Sequence, residues 1–156
     1  MRKNIAALCL LVASSLISAQ EAVQRLQDVH KIYVDTFGNG EGADVIRSKV
    51  ITRLVKSGRF EVVQSPDQAD AILTGASQVS KTAHYSASTN GQYGNASGGT
   101  RYHATAGVQL ISKDQKILWA DDTSNGAFSR SASSSLADRI VKNLIKALSQ
   151  QEKNKP

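Results

Sequence analysis

Two histidines flank a long polar segment, and they come closest in this chain to a set of residues that could do chemistry. They are His84 and His103, and the segment runs over residues 82–101. If the segment folds as a hairpin that turns at Tyr93 and Gly94, the two histidines face each other across antiparallel strands. Opposed residues have Cβ atoms about 5 Å apart, close enough for two imidazoles to share a zinc or copper ion.

Two imidazoles alone make an incomplete metal site, because structural and catalytic metal ions take at least three protein ligands. No aspartate, glutamate or cysteine lies next to either histidine in the sequence. We therefore predict a cross-strand polar pair flanked by stacked tyrosines, Tyr85 and Tyr102, with a metal site through His84 and His103 as the alternative. A second alternative ends both strands near these tyrosines and leaves the interior as a mobile loop.

The remaining motifs do not predict an enzyme. The Gly38–Gly42 loop follows a strand and precedes a helix, but it lacks the lysine and hydroxyl residue of a phosphate-binding loop. The serines of residues 129–135 have no Gly-x-Ser-x-Gly motif around them. Asp121 and Asp122 are adjacent, so in a strand they point to opposite faces. We predict no catalytic residue and no cofactor.

The amino terminus has the pattern of a secretory signal peptide. Arg2 and Lys3 precede a short apolar run, and small residues lead to Ala19, after which we predict cleavage. Cys9 is the only cysteine, and the residue order before it does not fit a lipidation site. We therefore predict a periplasmic or secreted protein without a lipid anchor, without disulfides and without a thiolate nucleophile.

Composition favours one basic domain that does not bind nucleic acid. The chain has 19 basic and 13 acidic residues, a net charge of +6. Losing the two cations of the signal peptide leaves 17 basic against 13 acidic residues, a net charge of +4. The lysines are scattered and no arginine–aromatic pattern is present, so the charge is typical of a solvated surface. We predict a single domain over residues 20–149 and a disordered tail over residues 150–156.

Hydrophobic periodicity predicts five strands and two helices. Residues 31–37, 60–63, 70–79, 102–111 and 117–120 are β-branched or alternate between apolar and polar. Residues 43–57 and the segment after residue 135 have apolar positions three or four apart, as in amphipathic helices. Gly58 is expected to cap the first helix, and Ser133, Ser134 or Ser135 the second. The order predicts an α+β fold, a mostly antiparallel sheet with two helices on one face and a long Gly/Ser-rich hairpin.

Several short motifs together resemble a group of bacterial envelope domains. The motifs are the strand Lys31–Phe37, the helix-to-strand join Ile51–Val63, the segment Ala69–Gly75 and the paired strands Gly107–Ile111 and Lys116–Trp119. In these motifs the chain is similar to the periplasmic domain of CsgG-type curli secretion lipoproteins, to the TolB amino-terminal domain and to LptE-type lipopolysaccharide-assembly lipoproteins. The resemblance implies a role in envelope assembly or secretion. The lipidated cysteine of those lipoproteins is absent, and the polar segment 86–99 lacks the apolar alternation of membrane-spanning hairpins.

These observations predict an exported, non-catalytic protein that binds an envelope protein or assembly component. The hairpin is the expected recognition element, with Tyr85, Tyr93, Arg101 and Tyr102 as its contact residues, because tyrosine and arginine are favoured interface anchors. Association with the outer membrane would then come from protein contacts. A further alternative is a self-assembling envelope subunit, a homo-oligomer joined through an exposed strand edge.

Overall fold

The computed structural model describes residues 25–89, 94–127 and 131–154 of the chain. The predicted signal peptide, its cleavage site and Tyr93 lie outside these residues. Within them, five strands and two helices follow one another, with a short 3-10 turn before the first strand and another before the third. They are β1 (Lys31–Val34), α1 (Ala43–Ser57), β2 (Glu61–Val63), β3 (Ala71–Thr89), β4 (Gly94–Ser112), β5 (Ile117–Ala127) and α2 (Ala132–Lys153).

The five strands form one sheet in the order β2-β1-β3-β4-β5. β1 pairs in parallel with β2 and β3, because α1 carries the chain back between β1 and β2. β4 pairs antiparallel with β3 and β5, and these two long ladders make the sheet mostly antiparallel. Both helices contribute to a single hydrophobic core on one face of the sheet. The predicted α+β fold is confirmed.

The core lies between that sheet face and the apolar stripes of the two helices. On the strands, buried residues alternate with exposed or half-buried ones, as in Ile32, Val34, Val108 and Leu110. The helices contribute residues spaced three or four apart, as the periodicity predicts. The fully buried helix residues include Ile46, Val50, Leu54, Leu136, Ile140 and Leu144.

Helix α1 has the predicted boundaries, and its two ends have clear physical causes. Gly58 adopts a left-handed conformation with φ of 64°, and its N–H donates to the carbonyl of Val55 at 3.2 Å. That conformation is strained for residues with a Cβ atom, so the predicted glycine cap is confirmed. Near the other end, the Arg47 guanidinium donates to the carbonyl oxygens of Val34 and Asp35. These bonds attach the helix to the end of β1.

Helix α2 differs from its predicted boundaries at both ends. It begins at Ala132, so Ser133, Ser134 and Ser135 lie inside its first turn and the predicted caps are wrong. It continues to Lys153, through residues predicted to be a disordered tail. There Glu152 accepts a hydrogen bond from Arg59 at 2.7 Å, which ties the last turn to the end of α1.

An ion pair joins the exposed sides of the two helices. The Arg53 guanidinium donates to both carboxylate oxygens of Asp138 and contacts the hydroxyl of Ser134. The hydrogen bond to Asp138 and, second, its charge raise the pKa of Arg53 above its ordinary value. A raised pKa keeps the cation at every pH below that already high value, so alkali would remove this contact only above the ordinary range of arginine.

Four strand boundaries differ from the prediction by more than one residue. β1 ends at Val34, after which Phe37 enters the core. The other three differences are extensions: β3 to Thr89, β4 back to Gly94 and β5 on to Ala127. The added residues are mainly serine, threonine, alanine, asparagine and glycine. Because few large apolar residues are among them, a search for apolar alternation does not detect these extensions.

Asp70 fixes the start of β1 through two backbone hydrogen bonds. Its Oδ2 accepts from the N–H groups of His30 at 2.9 Å and Lys31 at 2.8 Å. Hydrogen bonds to charged groups contribute about 1.5–3 kcal/mol each when protected, and less when exposed as here. We expect Asp70→Ala to lower the free energy of unfolding by about 1–2 kcal/mol in urea titrations. Asp67→Ala, on an exposed residue nearby, is the control and should change it little; equal losses would contradict this role.

Candidate partner-binding site

The two longest strands project beyond the rest of the sheet as a two-stranded ribbon. We call residues 82–89 and 94–101 the arm. Its base is marked by the last β4–β5 pair, Tyr102 with Ala127, and by the ion pair of Lys81 with Glu41 at 2.7 Å. Eight residues of strand extend about 26 Å. The side chains of residues 82–88 and 96–100 are all exposed.

The arm has two chemically different faces. Side chains alternate along each strand, and the β3–β4 register is uninterrupted, so each face can be assigned. The small-residue face continues the core side of the sheet and consists of Ala83, Tyr85, Ala87, Ala96, Gly98 and Thr100. The polar face consists of Thr82, His84, Ser86, Ser88, Ser97, Gly99 and Arg101. On the polar face the hydroxyls of Ser86 and Ser97 lie 2.8 Å apart and share a hydrogen bond.

Among the described residues of the arm, Tyr85 is the one large hydrophobic side chain, and its position depends on a glycine. It lies opposite Gly98, and a Cβ added to Gly98 would be 3.2 Å from the Cδ1 and Cε1 atoms of the ring. The absent side chain therefore lets the ring lie across the neighbouring strand. The residue is nevertheless 89% exposed, which makes it available to a partner.

The predicted contact residues do not form a single cluster. Tyr85 and Tyr102 share one face but are four positions apart in the ladder, about 13 Å. Tyr102 is half-buried and packs against the core, and Arg101 is half-buried on the opposite face. Tyr93 lies outside the described residues. Tyr85 is thus the predicted contact residue that the structure presents freely at the surface.

The predicted opposition of the two histidines is wrong. His84 pairs with Gly99, and His103 pairs with Ser80, so the imidazoles are about 13 Å apart along the ladder. The predicted opposition of Tyr85 and Tyr102 fails for the same reason. The His103 ring instead lies across Gly126 of β5, whose added Cβ would be 3.1 Å from the ring. In the described part of the chain no three His, Cys, Asp or Glu side chains form a metal-binding group.

The loop alternative is wrong as well, because residues 86–89 and 94–101 belong to the β3–β4 ladder. Electrostatically, the arm is nearly neutral. Residues 82–100 include no aspartate, glutamate, lysine or arginine. The arm can therefore approach a partner of either charge without a large desolvation cost.

A second exposed surface was not identified from the sequence. On the helix-free face, five apolar residues lie side by side across all five strands: Val63, Tyr33, Ile72, Ile111 and Ile117. We call these five residues the apolar row. Ile117 is 59% exposed, and a cleft of about 480 Å³ lies beside Ile72 and Ile111. One sequence feature could have indicated this surface: Tyr33 is a large aromatic residue on β1, yet it lies between the core residues Ile32 and Val34 and so on the opposite face.

Comparison with known proteins identifies the family. The family model described as LptE, lipopolysaccharide-assembly, matches residues 29–151. The chain belongs to the LptE family. Membership makes it an envelope-associated protein of the lipopolysaccharide-assembly class. The similarity to CsgG-type and TolB domains stays a resemblance in short motifs.

A solved structure supports the same fold for this LptE-family chain. A variant of the PelC dodecamer from Paraburkholderia phytofirmans matches with a TM-score of 0.50 and 17% identity, over 74% of this chain and 85% of that one. A minor lipoprotein from Acinetobacter baumannii matches with a TM-score of 0.48 and 12% identity, over 73% of this chain and 91% of that one. No curated protein matches the sequence. Neither α1 nor α2 is long and apolar enough to cross a membrane.

Proposed function

We propose that this protein is exported to the periplasm and acts there, without catalysis, by binding a partner in lipopolysaccharide assembly at the outer membrane. The observation that carries the proposal is the arm, which extends an exposed small-residue face from the body of an LptE-family fold. Export is supported by the signal-peptide pattern of residues 1–19. Association with the outer membrane then follows from the partner, since the sequence has no lipidation motif at Cys9.

The arm suits recognition because its contacts are separate from those that hold the fold together. The core lies between the helices and the sheet, whereas residues 82–88 and 96–100 are exposed. An interface anchor is typically a tyrosine, tryptophan or arginine that fills a pocket on the partner. Tyr85 fits that role, and the small residues around it leave room for the wall of such a pocket.

In-cell photocrosslinking tests the location of the binding surface. A photoreactive amino acid placed at Tyr85, in the native host, should give an adduct with one envelope protein, identified by mass spectrometry. The matched control is the same amino acid at Ile117, an exposed position of the apolar row. An adduct from Ile117 but not from Tyr85 would move the binding surface to the apolar row. Adducts from neither position, in protein shown to be exported, would contradict the proposal.

Tyr85→Ser should weaken capture of that partner without unfolding the protein. Loss of a central aromatic anchor costs about 2 kcal/mol or more, which is at least tenfold in the dissociation constant. The melting temperature should stay within about 2 °C, because the side chain is 89% exposed. Affinity is measured by surface capture of the crosslinked partner, and stability by thermal unfolding.

Tyr102→Ser is the matched control for that substitution. The same side chain is removed, but Tyr102 packs against the core, so the melting temperature should fall. If Tyr85→Ser lowers the melting temperature as much as Tyr102→Ser does, Tyr85 is structural and the recognition role of the arm loses its support.

A further inference from the structure

The outer edge of β3 leaves backbone groups unpaired along the arm. The N–H groups of Ser77 and Val79 point away from β4 and donate to carbonyl oxygens of the loop after β1. The N–H groups of successive residues point to alternating sides of a strand, and the register with β4 has no irregularity. The N–H groups of Ala83, Tyr85 and Ala87 therefore also point away from β4. Among the described residues, no backbone hydrogen bond to these three outward N–H groups is present.

Natural proteins protect such edges, and the arm lacks the usual protection. Exposed edge strands commonly contain charged residues, especially lysine, or proline or a β-bulge. Residues 82–100 contain no charged residue and no proline. The β3–β4 ladder also has no bulge. An unprotected edge of this length pairs readily with another strand.

A further strand would stabilise the arm, which has only two strands beyond the body of the sheet. An isolated two-stranded ribbon is at best marginally stable in water, whereas three or more strands with an apolar face are stable. The arm has two outer edges, one on β3 and one on β4. The β3 edge is better suited to pairing, because glycine weakens a strand and β4 contains glycine at 94, 98 and 99, while β3 has none from residue 76 to 89. The pairing strand is therefore expected against β3.

The alternation of side chains makes this edge complementary to itself. Tyr85 is the middle one of the three residues with outward N–H groups, Ala83, Tyr85 and Ala87. Antiparallel pairing of two identical edges about this residue places Tyr85 opposite Tyr85 and Ala83 opposite Ala87, so both small-residue faces lie on one side. Residues 82–100 carry no charge, so two identical edges meet without electrostatic repulsion.

We propose that the β3 edge of the arm binds the β3 edge of a second copy of this chain. Two arms then form one four-stranded antiparallel sheet around a two-fold axis, with the two Tyr85 residues paired at its centre. The pairing is independent of the envelope partner proposed above, because it needs only the purified protein. Partner capture can fail while pairing holds, and the reverse.

Proline substitutions on one rung of the ladder test which edge pairs. Ala87 and Ala96 are register partners, and their N–H groups point to opposite outer edges, of β3 and of β4. Ala87→Pro removes a donor from the β3 edge, and Ala96→Pro removes one from the β4 edge. In sedimentation velocity of the full chain purified after export, the wild type and Ala96→Pro should be dimers and Ala87→Pro a monomer. Far-UV circular dichroism should be the same for all three.

A cysteine test does not depend on how proline is tolerated. In a Cys9→Ser background, Tyr85→Cys should form a disulfide-linked dimer under mild oxidation, because the two residues face each other across the axis. Ser86→Cys, one position along the strand and on the polar face, should not. A monomeric wild type overturns the proposal, as does loss of the dimer in Ala96→Pro alone. A β3 edge that binds a different protein in place of a second copy overturns it too.

Discussion

Replacing Leu54 by alanine is expected to lower the free energy of unfolding by about 2–5 kcal/mol. Leu54 has no exposed surface and lies in the core between α1, α2 and the sheet. The loss combines the transfer free energy of the removed atoms with the cavity that neighbouring helices cannot close. Domains of this size have a total stability of about 5–15 kcal/mol, so the variant would lose a large part of it. Urea unfolding monitored by circular dichroism measures the change.

Val55→Ala is the control, because Val55 is the next residue of the same helix and is 59% exposed. Its replacement should change the free energy of unfolding by no more than about 0.5 kcal/mol. Alanine also has the higher helix propensity, which offsets part of the lost contact. Similar losses in both variants would mean that α1 does not pack on the sheet through the face containing Leu54.

The body of the fold is predictable from the sequence because its signals are local. The spacing of apolar residues in α1 predicts the helix, and the glycine that follows it marks its end. The alternation of Tyr102 to Ile111 likewise gives the correct core face of β4. In both segments, propensity, periodicity and burial agree, which is the condition for a reliable prediction.

The arm is less predictable because its register depends on the turn. The sequence indicates a turn at Tyr93 and Gly94, whereas the observed ladder pairs Thr89 with Gly94. When the centre of a hairpin turn moves by two residues, each residue of one strand faces a residue four positions away from its predicted partner: His84 faces Gly99 and not His103. That shift separates His84 from His103, so the predicted polar pair is not formed and the alternative of a shared metal ion loses its geometry. Small polar residues tolerate several registers, so no hydrophobic pattern corrects the error.

The serines before α2 show a similar ambiguity. Residues 131, 133, 134 and 135 are all serine, and each is a favourable helix-capping residue type. Their side chains alone therefore do not identify the first residue of the helix. What decides it is packing, since Ala132 and Ser133 are already buried against the rest of the domain.

Gly75→Ala is expected to destabilise the protein by about 1–3 kcal/mol, because the strands would have to move apart. A Cβ atom at this position would overlap the carbonyl oxygen of Gly107 and lie 2.9 Å from the Cα of Val108. Both are backbone atoms, which cannot rotate away as a side chain can. The glycine that ends the apolar motif of β3 thus allows close approach of β4. Thermal and urea unfolding measure the loss.

Gly107→Ala separates this steric cause from a general effect of glycine replacement. Gly107 lies on β4 beside the same rung, and a Cβ atom there meets nothing within 4 Å. Neither glycine has a positive φ, so backbone strain does not distinguish them. Alanine at 107 should be neutral or slightly stabilising, because it reduces the entropy of the unfolded chain. If the two variants lose equal stability, close approach of β3 and β4 is not what requires Gly75.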